Sequence, residues 1–125
     1  MPLAENIISS RYSFQGYDRD HVSINDRQYF SSLLLSANQL ISSWPVSSVE
    51  HLQPEHLQPI FDLRPDVVLL GTGEQQTFPA VDIIGEFARQ GLGLEVMDTG
   101  ALCRTFNILV AEDRNVVAAV IQPVG

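Results

Sequence analysis

Two short turns hold the residue types most suited to chemistry in this chain. Gly71-Thr72-Gly73 follows the apolar run Val67-Val68-Leu69-Leu70, and Asp98-Thr99-Gly100 follows Leu94-Glu95-Val96-Met97. Each turn places backbone N–H groups and a hydroxyl, and in the second a carboxylate, where a strand gives way to a helix. Helix N-termini attract anions and polar partner groups, so two such turns side by side would form a small polar crevice. The second turn leads into Cys103, Arg104 and Asn107. A thiol near a helix N-terminus and beside an arginine has two reasons for a lowered pKa, which makes Cys103 a candidate nucleophile, with Asp98 orienting a donor and Arg104 holding an anionic group. Such a thiol also needs a base, and His21, His51 and His56 all lie in the N-terminal half. The plainer account of the same residues is structural. Gly71 and Gly73 suit a sharp strand exit, Asp98 or Thr99 caps a helix, Cys103 is a small core residue, and Asn107 faces solvent.

Several chemistries are excluded by what is missing. Read as a dinucleotide fingerprint, Gly71-Thr72-Gly73-Glu74-Gln75-Gln76 lacks its third glycine, and too little chain follows to complete a six-stranded sheet. A phosphate-binding loop ending in Gly-Lys-Ser/Thr is impossible, because all seven basic residues are arginine. A single cysteine excludes an internal disulfide and a multi-cysteine metal site, and the histidines lack metal-ligand spacing, so no metal and no cofactor are expected. Fifteen acidic residues give a net charge of −8, which repels phosphate backbones, and the arginines are scattered singly; nucleic acid is not an expected partner. No stretch approaches the ~20 apolar residues of a membrane span, and the N-terminus lacks the basic region of a secretory signal, so a cytoplasmic location is expected.

The elements that must position the two turns follow from periodicity. Residues 1–10 read as a flexible terminus, and the 125 residues suit a single domain. Alternation at Tyr12 and Phe14, then at Val22 and Ile24, with Asn25-Asp26 before Arg27 to Phe30, predicts antiparallel strands and a tight hairpin. Leu33-Leu34-Leu35 predicts a strand buried on both faces, and Leu40 to Trp44 a further one ended by Pro45. A short helix is expected from Glu55 to Leu63, with Pro59 tolerable only in its first turn. Val67 to Leu70 reads as a central parallel strand. Val81, Ile84, Phe87 and Ala88 repeat at helical spacing up to a left-handed cap at Gly91. After the strand Leu94 to Met97, Thr99 would cap a helix carrying Leu102, Phe106, Leu109 and Val110 on one stripe, stopped by a turn at Asn115. Val116 to Ile121 is the last strand. Tyr12, Phe14, Tyr29 and Trp44 are expected in the core. If the strands at 67–70 and 94–97 are parallel, both turns lie at one sheet edge, and two helices start there.

The run Asp98-Thr99-Gly100-Ala101-Leu102-Cys103-Arg104-Thr105-Phe106-Asn107, with the upstream Leu70-Gly71-Thr72-Gly73, resembles domain of unknown function family 498, the Mth-like domain. Its relatives include a mitochondrial assembly factor for respiratory complex I and the adipogenesis-associated Mth-domain protein. The resemblance extends from about Arg11 to the end of the chain. Family members often have Ala before the Cys and Tyr before the Asn, where this chain has Leu102 and Phe106. The resemblance implies a three-layer α/β domain with a mixed sheet, an antiparallel N-terminal β portion and then β-α-β-α-β. It brings no established reaction, so Gly71, Thr72, Gly73, Asp98, Thr99, Cys103, Arg104 and Asn107 carry over only as a signature around a crevice. The expected function is a non-catalytic module that binds or assembles an unidentified protein partner; the alternative is a small-molecule site or modest enzyme at that crevice.

Overall fold

The computed structural model describes residues 11–122; the terminus expected at 1–10 lies outside them. Among the described residues, eight strands form two sheets. β1 (Phe14–Tyr17), β2 (Val22–Ile24) and β3 (Arg27–Tyr29) make a three-stranded antiparallel sheet. β4 (Leu33–Leu35), β5 (Leu40–Ile41), β6 (Val67–Gly71), β7 (Gly93–Met97) and β8 (Val116–Val120) make a mixed sheet in the order β5-β4-β8-β6-β7. β6 runs parallel to both β7 and β8, while β4 is antiparallel to β8 and to β5. The helices are α1 (Gln58–Asp62), α2 (Val81–Arg89) and α3 (Thr99–Ala111).

The two-residue period of the central strands explains the layering. Val68, Leu70, Val117 and Ala119 point to one face, where Ile60 of α1 and Ile83 and Phe87 of α2 cover them. Leu69, Val116, Ala118 and Val120 point to the other, against Leu102, Phe106 and Val110 of α3 and Phe14, Val22 and Ile24 of the small sheet. Phe14 meets Phe106 edge to face, ring centroids 5.3 Å apart. This is the expected α/β arrangement: an antiparallel β portion, then β6-α2-β7-α3-β8, with cores on both faces of a mixed sheet.

Most local expectations hold. Asn25 and Asp26 both take positive φ (47° and 72°), the geometry of a tight hairpin turn, and the Asn25 amide anchors it by accepting from Ser13 N–H and donating to Arg11 C=O. Gly91 (φ 68°) ends α2, with Leu92 N–H donating back to Phe87 C=O. Pro59 falls in the first turn of α1, which a 3-10 turn at Pro54–Leu57 leads into. Phe14 and Trp44 are buried, Tyr12 and Tyr29 half-buried.

Three local expectations are corrected. The strand expected over Leu40 to Trp44 stops at Ile41, because Trp44 turns inward and donates its indole N–H to His56 C=O at 2.9 Å. The residue that caps α3 is Asp98, not Thr99: its carboxylate accepts from Ala101 N–H at 2.8 Å. α3 is stopped by Asp113 (φ 59°), with Arg114 N–H donating to Leu109 C=O, and not by Asn115, whose amide instead donates to Arg64 C=O at 2.7 Å.

Candidate functional site

β6 is flanked by β7 on one side and β8 on the other, reached by helices on opposite faces. Crevices open at the C-terminal ends of parallel strands where the order reverses in this way. A cavity of about 420 Å³ lies there. Its floor is the exit of β8 (Ile121, Gln122) and the start of α3 (Asp98, Thr99, Gly100); Gly73 and Glu74 form one wall. The other wall, Tyr17, Asp18 and Arg19, is the turn between β1 and β2.

The two chemistry-bearing turns do meet. Thr99 N–H donates to Gly73 C=O at 2.8 Å, and Thr72 N–H to Met97 C=O at 3.0 Å. The Thr72 hydroxyl knits its own loop, donating to Gln75 C=O and accepting from Thr77 N–H. Gly73 sits at φ 97°, where a side chain would be strained. Gly71 is held for space: a Cβ there would stand 2.8 Å from Leu102 Cδ1, inside the core. Gly100 is held by a close approach too, since a Cβ would meet the Tyr17 hydroxyl at 2.5 Å. Tyr17 thus lies directly over the N-terminus of α3.

The electrostatics differ from a ready-made anion hole. Asp18, Glu74 and Asp98 contribute three carboxylates to the lining and Arg19 one guanidinium. Arg19 pairs with Glu74 at 3.1 Å, both side chains largely exposed, and the pair also borders a neighbouring cavity of about 240 Å³. An exposed pair of this kind is screened and contributes little, so it is a weak boundary between two hollows. Of the first N–H groups of α3, that of Thr99 is committed to Gly73 C=O and that of Ala101 to the Asp98 carboxylate. The second helix expected to start at the crevice does not: α2 begins only at Val81, and none of its residues lines either cavity.

Of the sequence-expected residues, Gly73, Asp98 and Thr99 line the cavity, with Gly71 and Thr72 directly behind; Cys103, Arg104 and Asn107 do not join them. Cys103 is 5% exposed and packs into the core beneath α3. Burial pushes its thiol up from 9.0 to about 12, against a smaller lowering by Arg104, so it is protonated at neutral pH and lacks the thiolate a nucleophile needs. Arg104 is exposed on the helix. Asn107 does not face solvent as expected. Its Oδ1 accepts from Phe14 N–H at 2.9 Å and its Nδ2 donates to Phe14 C=O at 2.7 Å, fastening α3 to β1. Sequence reasoning missed Tyr17, Asp18, Arg19 and Gln122. Gln122 is 4% exposed, and its amide N–H groups are spent on Tyr29 C=O and Ser31 C=O. Among the described residues no group of three or more His, Cys, Asp or Glu is placed to hold a metal ion.

A family model described as protein of unknown function (DUF498/DUF598) matches residues 14–121. A Francisella tularensis subsp. holarctica protein named "13 kDa major membrane protein" is 32% identical over 122 residues, which are 97% of this chain and 99% of that protein. The bovine (Bos taurus) NADH dehydrogenase [ubiquinone] 1 alpha subcomplex assembly factor 3 is 30% identical over 126 residues; the match takes in 99% of this chain but spans only 64% of the assembly factor. Among solved structures, a Xanthomonas campestris protein superposes with a TM-score of 0.85 at 38% identity, over 97% of this chain and 92% of that one. A Bordetella pertussis protein described as a Mth938-like domain superposes with a TM-score of 0.76 at 25% identity, over 90% and 86%. Among the described residues no helix is long and apolar enough to cross a membrane.

Proposed function

The chain belongs to the DUF498/DUF598 family of proteins of unknown function, and from that premise we propose that it is a non-catalytic module that binds or assembles a protein partner. The observation that carries this reading is the similarity along 99% of the chain to a protein named as an assembly factor. The chemistry of the site supports it. The one thiol is buried and protonated, and the carboxylates at the cavity are engaged: Asp98 with a helix N–H, Asp18 with the Arg19 N–H, Glu74 with the Arg19 side chain. A cytoplasmic location and a single folded unit are part of the same reading.

The test is capture with the tagged full chain from native extract of its source, alongside a thermal-shift panel of nucleotides, coenzymes, small acids and metals. A reproducible partner at fixed stoichiometry supports the module. No partner, together with a saturable metabolite hit, overturns it. Fractionation of the same cells tests location, with the Francisella relative's name setting the opposite outcome: recovery in the membrane pellet.

The 420 Å³ cavity favours a second reading, a small-molecule site at the crevice between the Gly71–Gly73 and Asp98–Gly100 turns, of which Gly73, Asp98, Thr99 and Gly100 line the cavity. A ligand at 100 times its dissociation constant would add about 2.7 kcal/mol of stability. Asp98→Asn keeps an oxygen for the helix cap while removing the charge, so a stabilising hit lost in that variant would place the ligand there.

A further inference from the structure

We propose that the free edge of β7, with the apolar stripe beside it, docks an extended segment of another protein that is apolar and basic. The proposal rests on the protein-binding reading and adds to it the surface and the partner's chemistry. β7 is the outer strand of the five-stranded sheet. Its register with β6 turns Gly93, Glu95 and Met97 toward β6, as the bond from Thr72 N–H to Met97 C=O requires; the N–H and C=O groups of Leu94 and Val96 therefore point outward. One of these is taken, since Gln76 Nε2 donates to Val96 C=O at 2.8 Å. Among the described residues the others have no partner, and such an edge accepts an added strand.

Two residues beyond Gln76 an exposed apolar stripe begins. Phe78 is 63% exposed, Val81 85% and Ile84 39%, and the last two share a face of α2, which packs against β7. The helix that carries Val81 and Ile84 packs against β7, whose Leu94 and Val96 side chains lie half-buried on the same side of the sheet. A strand laid on the edge would turn alternate side chains onto this stripe. Among the described residues the unpaired charges beside it are acidic: Asp82 is exposed on α2 and Glu95 on the strand's other face, while Arg89 at the end of α2 pairs with Glu86.

Charge decides the occupant. If a second copy paired edge to edge about a two-fold axis through the middle of β7, Glu95 would face Glu95 in the close, non-hydrogen-bonded position, where like charges are destabilising. Both copies would also carry a net charge of −8. A segment bearing Lys or Arg between apolar residues reverses every one of these terms.

The experiment uses displayed random peptides of about twelve residues, longer than a typical strand, selected against the full chain and followed by amide NMR. Enriched peptides are expected to alternate apolar and basic residues and to shift the Leu94 and Val96 amides. Glu95→Lys is expected to weaken them roughly tenfold by reversing a charge at the interface. Val81→Asp should do the same without harming the fold, because the site is exposed and an acid in the first helical turn is favourable. Peptides that bind elsewhere overturn the edge and leave the protein-binding reading standing. Self-association that Glu95→Lys alters overturns it in favour of a second copy. No enriched peptide overturns the edge; if capture from extract also fails, the protein-binding reading falls with it.

Discussion

Asn107 pairs with the backbone of a residue 93 positions away, and this explains its place in a helix interior that its propensity does not favour. Replacing it with alanine strands the Phe14 N–H and C=O in a half-buried seam, at a cost of about 1–3 kcal/mol. Urea unfolding of Asn107→Ala should show that loss in the midpoint with no change of slope. Nothing local in the sequence announces such a pairing, because the partner is a main-chain group and any strand could supply it. Cys103 makes a second residue-scale prediction. A thiol at about 12 when folded and 9.0 when unfolded stays protonated in the native state while the unfolded chain ionises. Its contribution is fully present below pH 9 and is lost as pH rises from about 9 toward 12, since the unfolded state then binds fewer protons. Cys103→Ala should flatten that alkaline decline relative to the parent in pH-dependent unfolding. The thiol should also react with a disulfide reagent at pH 8 only as fast as the protein opens.

At the scale of elements, the cap of α3 separates a structural from a binding role for Asp98. Asp98→Ala should cost about 1 kcal/mol in thermal or urea unfolding, and Asp98→Asn much less, because both Asp and Asn accept from the Ala101 N–H. The strands and helices from β6 to β8 were legible because apolar runs and helical spacing are properties of single segments, but the face of α2 was not: Ile83 and Phe87 are buried, while Val81, Ile84 and Ala88 of the expected stripe are exposed. The meeting of the 71–73 and 98–100 turns was legible too, since it follows once β6 and β7 are parallel. The wall formed by Tyr17, Asp18 and Arg19 was not, because it depends on how the small sheet docks against α3. That docking rests on Phe14, Phe106 and Asn107 together. The ambiguity between Asp98 and Thr99 as cap is a matter of one residue, which spacing alone does not resolve.

For the whole molecule, β8 is the element on which both cores depend: it lies between β4 and β6, and all five of its residues are buried. Ala118 and Ala119 are fully buried on opposite faces, against α3 on one side and the α1–α2 layer on the other. Ala118→Leu would force α3 away from the sheet and should cost about 1–3 kcal/mol by overpacking. If the chain is the single folded unit proposed, it should lose both cores together, with calorimetric and van't Hoff enthalpies agreeing. The position of β8 has a further consequence during synthesis. β4 and β6 leave the ribosome well before residues 116–120, and neither can hydrogen-bond the other across the gap that β8 fills. Until residues 116–120 emerge, β4 and β6 both lack the strand that each pairs with in the folded sheet. The aggregation hazard of the partly made sheet therefore ends only when a five-residue segment with no charge of its own is in place.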